Sequence, residues 1–398
     1  MSFKHTLYAS YLGYITQAIV NNLMPLLFVT FNEQFDISLG KIGLLISINF
    51  FVQIIVDLLA ARYVDDLGYR LCIVLAHILS TIGLVGLGIL PFVLNTYIGL
   101  LIATILNAIS GGLIEVLVSP IVESLPGEQK DQAMSLLHSF YCWGHVGVVL
   151  LSTIYFNLIG LNQWFYLPII WALVPLFNTF LFMKVPLNQI EANQEHSSFK
   201  YLFSSKLFWI LFILMICSGA SEQAMSQWSS LFCELGLSVS KTVGDLLGPC
   251  AFALCMGSAR LFYGIKGERF DLQKCLFYSG IGCVVSYLMA ILSPIPLISL
   301  LGCALSGLSV GMMWPGVFSL TSQIYPNVST TLFALLALAG DVGCSIGPGV
   351  VGVVSEYSGE LKLGLAVAIL FPLFLVMTLV KLKNKKLETL LSDQPPVK

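Results

Sequence analysis

Gly111-Gly112-Leu113-Ile114-Glu115-Val116-Leu117-Val118-Ser119-Pro120 sets a single carboxylate in the middle of an apolar run. On insertion scales an acid near the centre of a membrane helix costs about 2.5–3.5 kcal/mol, so Glu115 is expected to face a polar cavity inside a helix bundle rather than lipid. Burial favours the neutral form of a carboxyl, which makes such a residue a natural proton site. The alternative is an acid hydrogen-bonded for structure alone. The same stretch opens an internal repeat. Gly112, Leu113, Pro120, Val122 and Ser124 recur as Gly307, Leu308, Pro315, Val317 and Ser319, all at an offset of 195. Ala61-Arg62 recurs as Ala259-Arg260 at an offset of 198, and Gly144 and Gly147 recur as Gly340 and Gly343 at an offset of 196. Matches in three places at nearly one offset indicate a duplicated unit. Two parallel repeats about an axis normal to a membrane put a binding site between them near the midplane.

The composition fits. Of 398 residues, 57% are hydrophobic and only 10% charged, against about 25% charged in a soluble domain. The chain is therefore expected to be an all-α polytopic membrane protein with the lipid bilayer as its solvent. Its ten cysteines are scattered through apolar runs (Cys217, Cys250, Cys255, Cys303, Cys344) without a C-x-x-C pair. They read as small hydrophobes, so no metal, cofactor or redox centre is expected. No nucleic-acid partner is expected either. The first apolar run follows Lys4 and His5 but holds Gln17, Asn21 and Asn22 and lacks a small-residue cleavage site. It reads as an uncleaved first helix and not as a signal peptide.

A spanning helix needs about 20 mostly apolar residues. Twelve can be placed, over 6–31, 39–61, 70–90, 95–119, 131–156, 163–183, 205–232, 242–264, 274–292, 296–322, 331–355 and 362–381. If both termini are cytoplasmic, the external loops hold only Lys41, Lys241 and Lys362, and the other 16 of the 19 basic residues lie inside. That bias orients the chain, with both ends in the cytoplasm. The polar stretch around Asn188, Gln189, Glu191 and His196 reads as a linker. The expected organisation is an N-terminal six-helix bundle (1–184), a cytoplasmic linker (185–204), a C-terminal six-helix bundle (205–382) and a cytoplasmic tail (383–398).

The loop after the second span, Ala61-Arg62-Tyr63-Val64-Asp65-Asp66-Leu67-Gly68-Tyr69-Arg70, resembles the major facilitator signature between helices 2 and 3. It keeps Asp65, Gly68 and Arg70 but replaces the leading Gly and one basic residue. The resemblance implies the major facilitator fold, twelve helices in two pseudo-symmetric bundles, with Asp65 and Arg70 in a cytoplasmic latch. A charged turn that only sets topology is the other reading. Three further stretches resemble the fucose permease branch of proton-coupled sugar symporters. They are Asn21-Asn22-Leu23 in the first span, Gly112-x-x-Glu115 followed by Ser119-Pro120 in the fourth, and Trp314-Pro315-Gly316-Val317-Phe318-Ser319-Leu320 in the tenth. That resemblance implies that Glu115 takes part in substrate binding and protonation. The family's Asp after the Asn-Asn pair is replaced here by Met24-Pro25, while Glu222 and Asp341 lie outside that family's pattern.

Polar faces supply the remaining candidates. Tyr14, Gln17 and Asn21 are spaced i, i+3, i+7, Glu222 and Ser226 as well as Gln223 and Gln227 are spaced i, i+4, and His138, Tyr141 and His145 share a face. Amides and hydroxyls offer paired donors and acceptors to sugar hydroxyls, and Trp143, Trp228 or Trp314 could stack on the apolar face of a pyranose. The substrate-binding set is thus Tyr14, Gln17, Asn21, Asn22, Glu115, His138, Tyr141, Trp143, Glu222, Gln223, Ser226, Gln227, Trp228 and Trp314. Glu115, Glu222 and Asp341 are the candidates for proton coupling. Asp57, Arg62, Asp65, Arg70 and Arg260 are assigned to a cytoplasmic gate. Polar groups in membrane helices also hydrogen-bond neighbouring helices, which is the competing role for each of them. The run Gly343-x-x-x-Gly347-Pro348-x-x-x-Gly352 is read as close helix packing.

These features describe a secondary active transporter in the cell membrane. It is expected to be a monomer that imports a hexose, deoxyhexose or polyol together with protons. The acids Asp57, Glu115, Glu222 and Asp341, set against Arg62 and Arg260, leave a carrier of an organic cation or amine as the rival. A receptor or enzyme on the same scaffold is the other alternative, but no serine-nucleophile signature or clustered His/Asp motif supports an enzyme.

Overall fold

A chain surrounded by lipid must satisfy its backbone donors and acceptors within each crossing segment, which leaves helices as the available solution for runs of this length. The computed structural model describes residues 1–126, 130–188, 199–266, 270–324 and 330–384. Twelve helices in it are long and apolar enough to cross a membrane. They are α1 (Phe3–Phe35), α2 (Leu39–Leu67), α3 (Tyr69–Val93), α4 (Thr96–Glu123), α5 (Lys130–Ile159), α6 (Tyr166–Lys184), α7 (Lys206–Gly236), α8 (Lys241–Gly264), α9 (Leu272–Leu292), α10 (Pro296–Ile324), α11 (Thr330–Ser358) and α12 (Leu361–Leu382). Each coincides with an expected span. Of the linker expected at 185–204, residues 189–198 lie outside the described residues, as does the tail from 385 onward.

The turn between α2 and α3 is made by Gly68 at φ +88°, a conformation that disfavours a side chain. Within it Arg70 donates to the carbonyls of Phe182, Met183 and Val185 and so closes the end of α6. Asp65 is exposed. No ion pair between Asp65 and Arg70 is present among the described residues; in this distally sealed arrangement the carbonyls freed at the end of α6 accept from Arg70 instead.

Packing repeats between the halves. The pairs α1·α5, α1·α4, α2·α4, α3·α4, α3·α6 and α1·α6 have counterparts six helices on, in α7·α11, α7·α10, α8·α10, α9·α10, α9·α12 and α7·α12. The halves meet through α2 against α11 and α5 against α8, which exchange under the same relation. Large apolar side chains such as Phe51, Leu58, Phe177 and Tyr278 remain on the outside, as lipid contact requires. Gly347 lets α11 close on α7, since a Cβ there would lie 2.8 Å from Ala220 Cα.

The two ends of the described chain, at Met1 and Asn384, lie on one face of the bundle, here the terminal face, because the number of crossings is even. The opposite, distal face is sealed across the halves. Ser47 and Ser345 exchange hydrogen bonds, each hydroxyl donating to the other's carbonyl at 2.9 Å. Gly40 N donates to Glu356 Oε2 at 2.9 Å, and a Cβ on Gly43 would stand 2.9 Å from Gly352 Cα. Thr242 Oγ1 donates to Asn157 Oδ1 at 3.0 Å on the other side of the bundle.

In α1 the helix narrows to a 3-10 turn at Met24–Leu27, around Pro25. Proline lacks the N–H that would bond the carbonyl four residues back. That carbonyl, of Asn21, accepts instead from Gln227 Nε2 of α7 at 3.3 Å. Leu26 O likewise accepts from Lys241 Nζ of α8 at 2.6 Å. Lys241 also pairs with Glu234 at 2.9 Å and with the fully buried Asp245 at 3.1 Å. Lys241→Met should leave two acids unpaired in a poorly hydrated place, a loss of about 3–5 kcal/mol for a buried pair. We expect a lower melting temperature in detergent and faster hydrogen exchange at 24–27. An unchanged melting curve would remove this lysine from the seal.

Candidate functional site

Beneath the distal seal is a cavity of about 380 Å³ between the halves, within the range that holds small ligands. It extends toward the terminal face, past His138 and Ser139 of α5, Tyr263 of α8 and Phe318 of α10. From α1 come Tyr14, Gln17 and Asn21, the face expected from their spacing. Glu115 enters from α4, Tyr141 from α5, Glu222 and Gln223 from α7, Trp314 from α10 and Asp341 from α11.

The polar groups form connected chains. Gln17 Nε2 donates to Glu115 Oε2 at 2.6 Å, and the Tyr14 hydroxyl meets Ser119 Oγ at 3.1 Å. Asn21 Oδ1 accepts from Gln53 Nε2 at 3.2 Å and Asn49 Nδ2 at 3.3 Å, both on α2. Gln227, bonded to Asn21 O, passes a second N–H to Gln223 Oε1 at 3.1 Å, and Gln223 donates to Glu222 Oε1 at 3.3 Å. Arg260 Nη2 ends the chain on Glu222 Oε2 at 3.0 Å. An amide ladder thus joins the N-terminal half to the one cation among the described cavity residues.

Several candidates lie elsewhere than expected. Arg260, assigned to a gate at the helix end, reaches into the cavity, since its long side chain carries the charge well away from its backbone. Asp57 does not brace Arg62, which is exposed and makes no ion pair among the described residues. The Asp57 carboxyl instead comes within hydrogen-bonding reach of Asp341 across the halves. Trp228 is fully buried, donating to Pro348 O at 3.0 Å and packed on Phe28, so it is part of the distal packing and not of the cavity wall. Trp143 is 45% exposed and turned outward. Asn22 stands behind the wall, donating to the Tyr141 hydroxyl at 3.3 Å. Ser226 and Gln227 are buried in the helix packing, and Gln227 lines a separate small void with Asn49 and Asn107.

Sequence reasoning missed Phe50 and Gln53 of α2, Ser139, Tyr263, Pro315, Phe318 and Cys344. Gln53 was findable. It is an amide in an apolar run, one turn before Asp57.

The sequence profile of the Major Facilitator Superfamily matches residues 10–348. Among solved structures the fold is similar to that of a D-xylose-proton symporter, at TM-score 0.79 and 15% identity, covering 94% of this chain and 97% of that one. It is also similar to a bacterial homolog of the human lysosomal transporter Spinster in an inward-facing and occupied conformation, at TM-score 0.75 and 14% identity, covering 97% of each chain. The E. coli fucose:proton symporter aligns at TM-score 0.66 and 16% identity, over 96% of this chain and 99% of that one. Comparison with curated proteins finds no match.

Proposed function

The chain belongs to the Major Facilitator Superfamily, and from that premise we propose that it is a proton-coupled symporter of a hexose, deoxyhexose or polyol. The observation that carries this reading is the amide-rich cavity in which Gln17 holds Glu115 and whose wall includes an aromatic, Trp314. Amides match hydroxyls in both directions, and an indole offers a flat apolar surface to a sugar ring.

In this reading the distal face is outward, the terminal face is cytoplasmic, and the protein works as a monomer in the plasma membrane. Glu115 takes a proton from outside, which leaves the cavity neutral enough for the sugar to complete its hydrogen bonds to the ladder. The halves then rock to the arrangement described here, sealed at the distal face. Proton loss to the cytoplasm restores a carboxylate, weakens the site and frees the sugar. Each ligand thereby biases one two-state equilibrium. Glu222 and Asp341 remain secondary proton candidates.

The test is proton entry into proteoliposomes holding a pH dye, on addition of neutral sugars or small organic cations. A sugar should drive acidification that Glu115→Gln abolishes. One observation favours the rival. With Glu222 neutralised by Arg260, the cavity still holds Glu115 and Asp341, with Asp57 beside them, a set that suits an organic cation. Silence with every sugar and a response to a cation would shift the assignment to that class.

A further inference from the structure

Gln17 is only 3% exposed, and its amide is half satisfied. Nε2 donates to Glu115 Oε2 at 2.6 Å, while Oε1 is buried with no hydrogen-bond partner. An orphaned buried carbonyl is costly, and a planar amide and a planar carboxyl can pair edge to edge. A carboxylic acid can return a hydrogen bond to the amide that donates to it, its C=O accepting from N–H while its O–H donates to C=O. A carboxylate can form only the first of these.

We propose that Gln17 is the positioning residue for the coupling proton, which is held as the Glu115 O–H in a two-bond ring closed on Gln17 Oε1. The proton joins the Glu115 oxygen that does not accept from Nε2, and no other bond forms or breaks. When it leaves, the ring opens to the single contact and Oε1 is orphaned again. The acid's donor and acceptor are both spent inside the ring, so a substrate meets a neutral surface and binds the ladder without stripping a bare carboxylate. Around the ring, Asp57 from α2, Glu222 from α7 and Asp341 from α11 repel a charge at Glu115, and Arg260 from α8 attracts it. Among the described residues Tyr14, Tyr141 and Cys344 also face it, and His138 packs on the Tyr14 ring.

This inference rests on the symporter reading for its meaning, but its test needs no substrate. Infrared difference spectra of the full chain, taken across a pH titration, contain the acid carbonyl band of Glu115, identified by its loss in Glu115→Gln. In Gln17→Met, a side chain of similar size without an acceptor, that band should move to higher frequency. In the unsubstituted protein with ¹³C-carbonyl glutamine, protonation should lower one labelled amide band, and that change should vanish in Glu115→Gln. The labelled measurement stands even if Gln17→Met fails to fold. An acid band at the same frequency in Gln17→Met, or no labelled amide shift on protonation, would overturn the ring. Both shifts without sugar-driven proton entry would keep the ring and sink the sugar symporter. A substitution acting only on packing would move the melting temperature and leave both bands in place.

Discussion

Gly43→Leu should hold the protein open at its distal face and impair transport while leaving each half folded. The atoms that a Cβ on Gly43 meets are Gly352 Cα at 2.9 Å, Gly352 N at 3.5 Å and Trp228 Cζ2 at 3.5 Å. All belong to the other half. The overlap of the Cβ is therefore with the other half, and separating α2 from α11 relieves it without unfolding either half. Every 1.4 kcal/mol is tenfold in a population, and overpacking costs about 1–3 kcal/mol. Transport should fall by about 5- to 100-fold on that arithmetic. Hydrogen exchange should rise around Ser47 and Ser345, whose reciprocal bonds depend on the same contact, and the melting temperature should change little. Normal transport by this variant would mean that the α2–α11 contact is not part of the working cycle.

Arg260→Leu carries the second large expectation, a loss of stability and activity together. Arg260 neutralises Glu222, with side-chain exposures of 22% and 9%, and its Nε is buried without a partner. Removing it leaves Glu222 beside Glu115 and Asp341 with no cation among the described cavity residues. Deleting one partner of a buried pair costs about 3–5 kcal/mol. The melting temperature in detergent should drop by several degrees, and transport should disappear. Glu222→Leu combined with Arg260→Leu should recover most of the stability, because the uncompensated charge is gone, but none of the transport. A single variant that melts with the unsubstituted protein would show that water already screens Glu222, and the pair would then matter for binding alone.

Much of this architecture was legible beforehand. Hydrophobic runs of spanning length, broken by charge, Gly and Pro, placed twelve helices, and the offsets linking Gly112 to Gly307 and Arg62 to Arg260 exposed the duplication. Helical spacing put Tyr14, Gln17 and Asn21 on one face, and an acid in an apolar run pointed Glu115 inward. Periodicity says which residues share a face but not what that face meets. Hence Trp228, on the same helix as Glu222, went to the distal packing, and Trp143 turned outward. Contacts across the halves are further from reach. Asp57 and Asp341 lie in different repeats, and no local pattern couples them. Arg260 was misplaced because a helix position locates Cα, whereas the guanidinium works several bonds away.

Pro25 has an implication for how such a molecule can drift. Two contacts between the halves end on main-chain oxygens, of Asn21 and Leu26, and not on the side chains of those residues. A carbonyl is present whatever amino acid occupies the position. The junction on that side can therefore persist through a change at Leu26, and through one at Asn21 apart from that side chain's own bonds to Gln53 and Asn49, provided that the 3-10 turn survives and a donor remains at 227 and 241. The constraint is asymmetric: α1 is held to a shape, whereas α7 and α8 are held to particular chemistry.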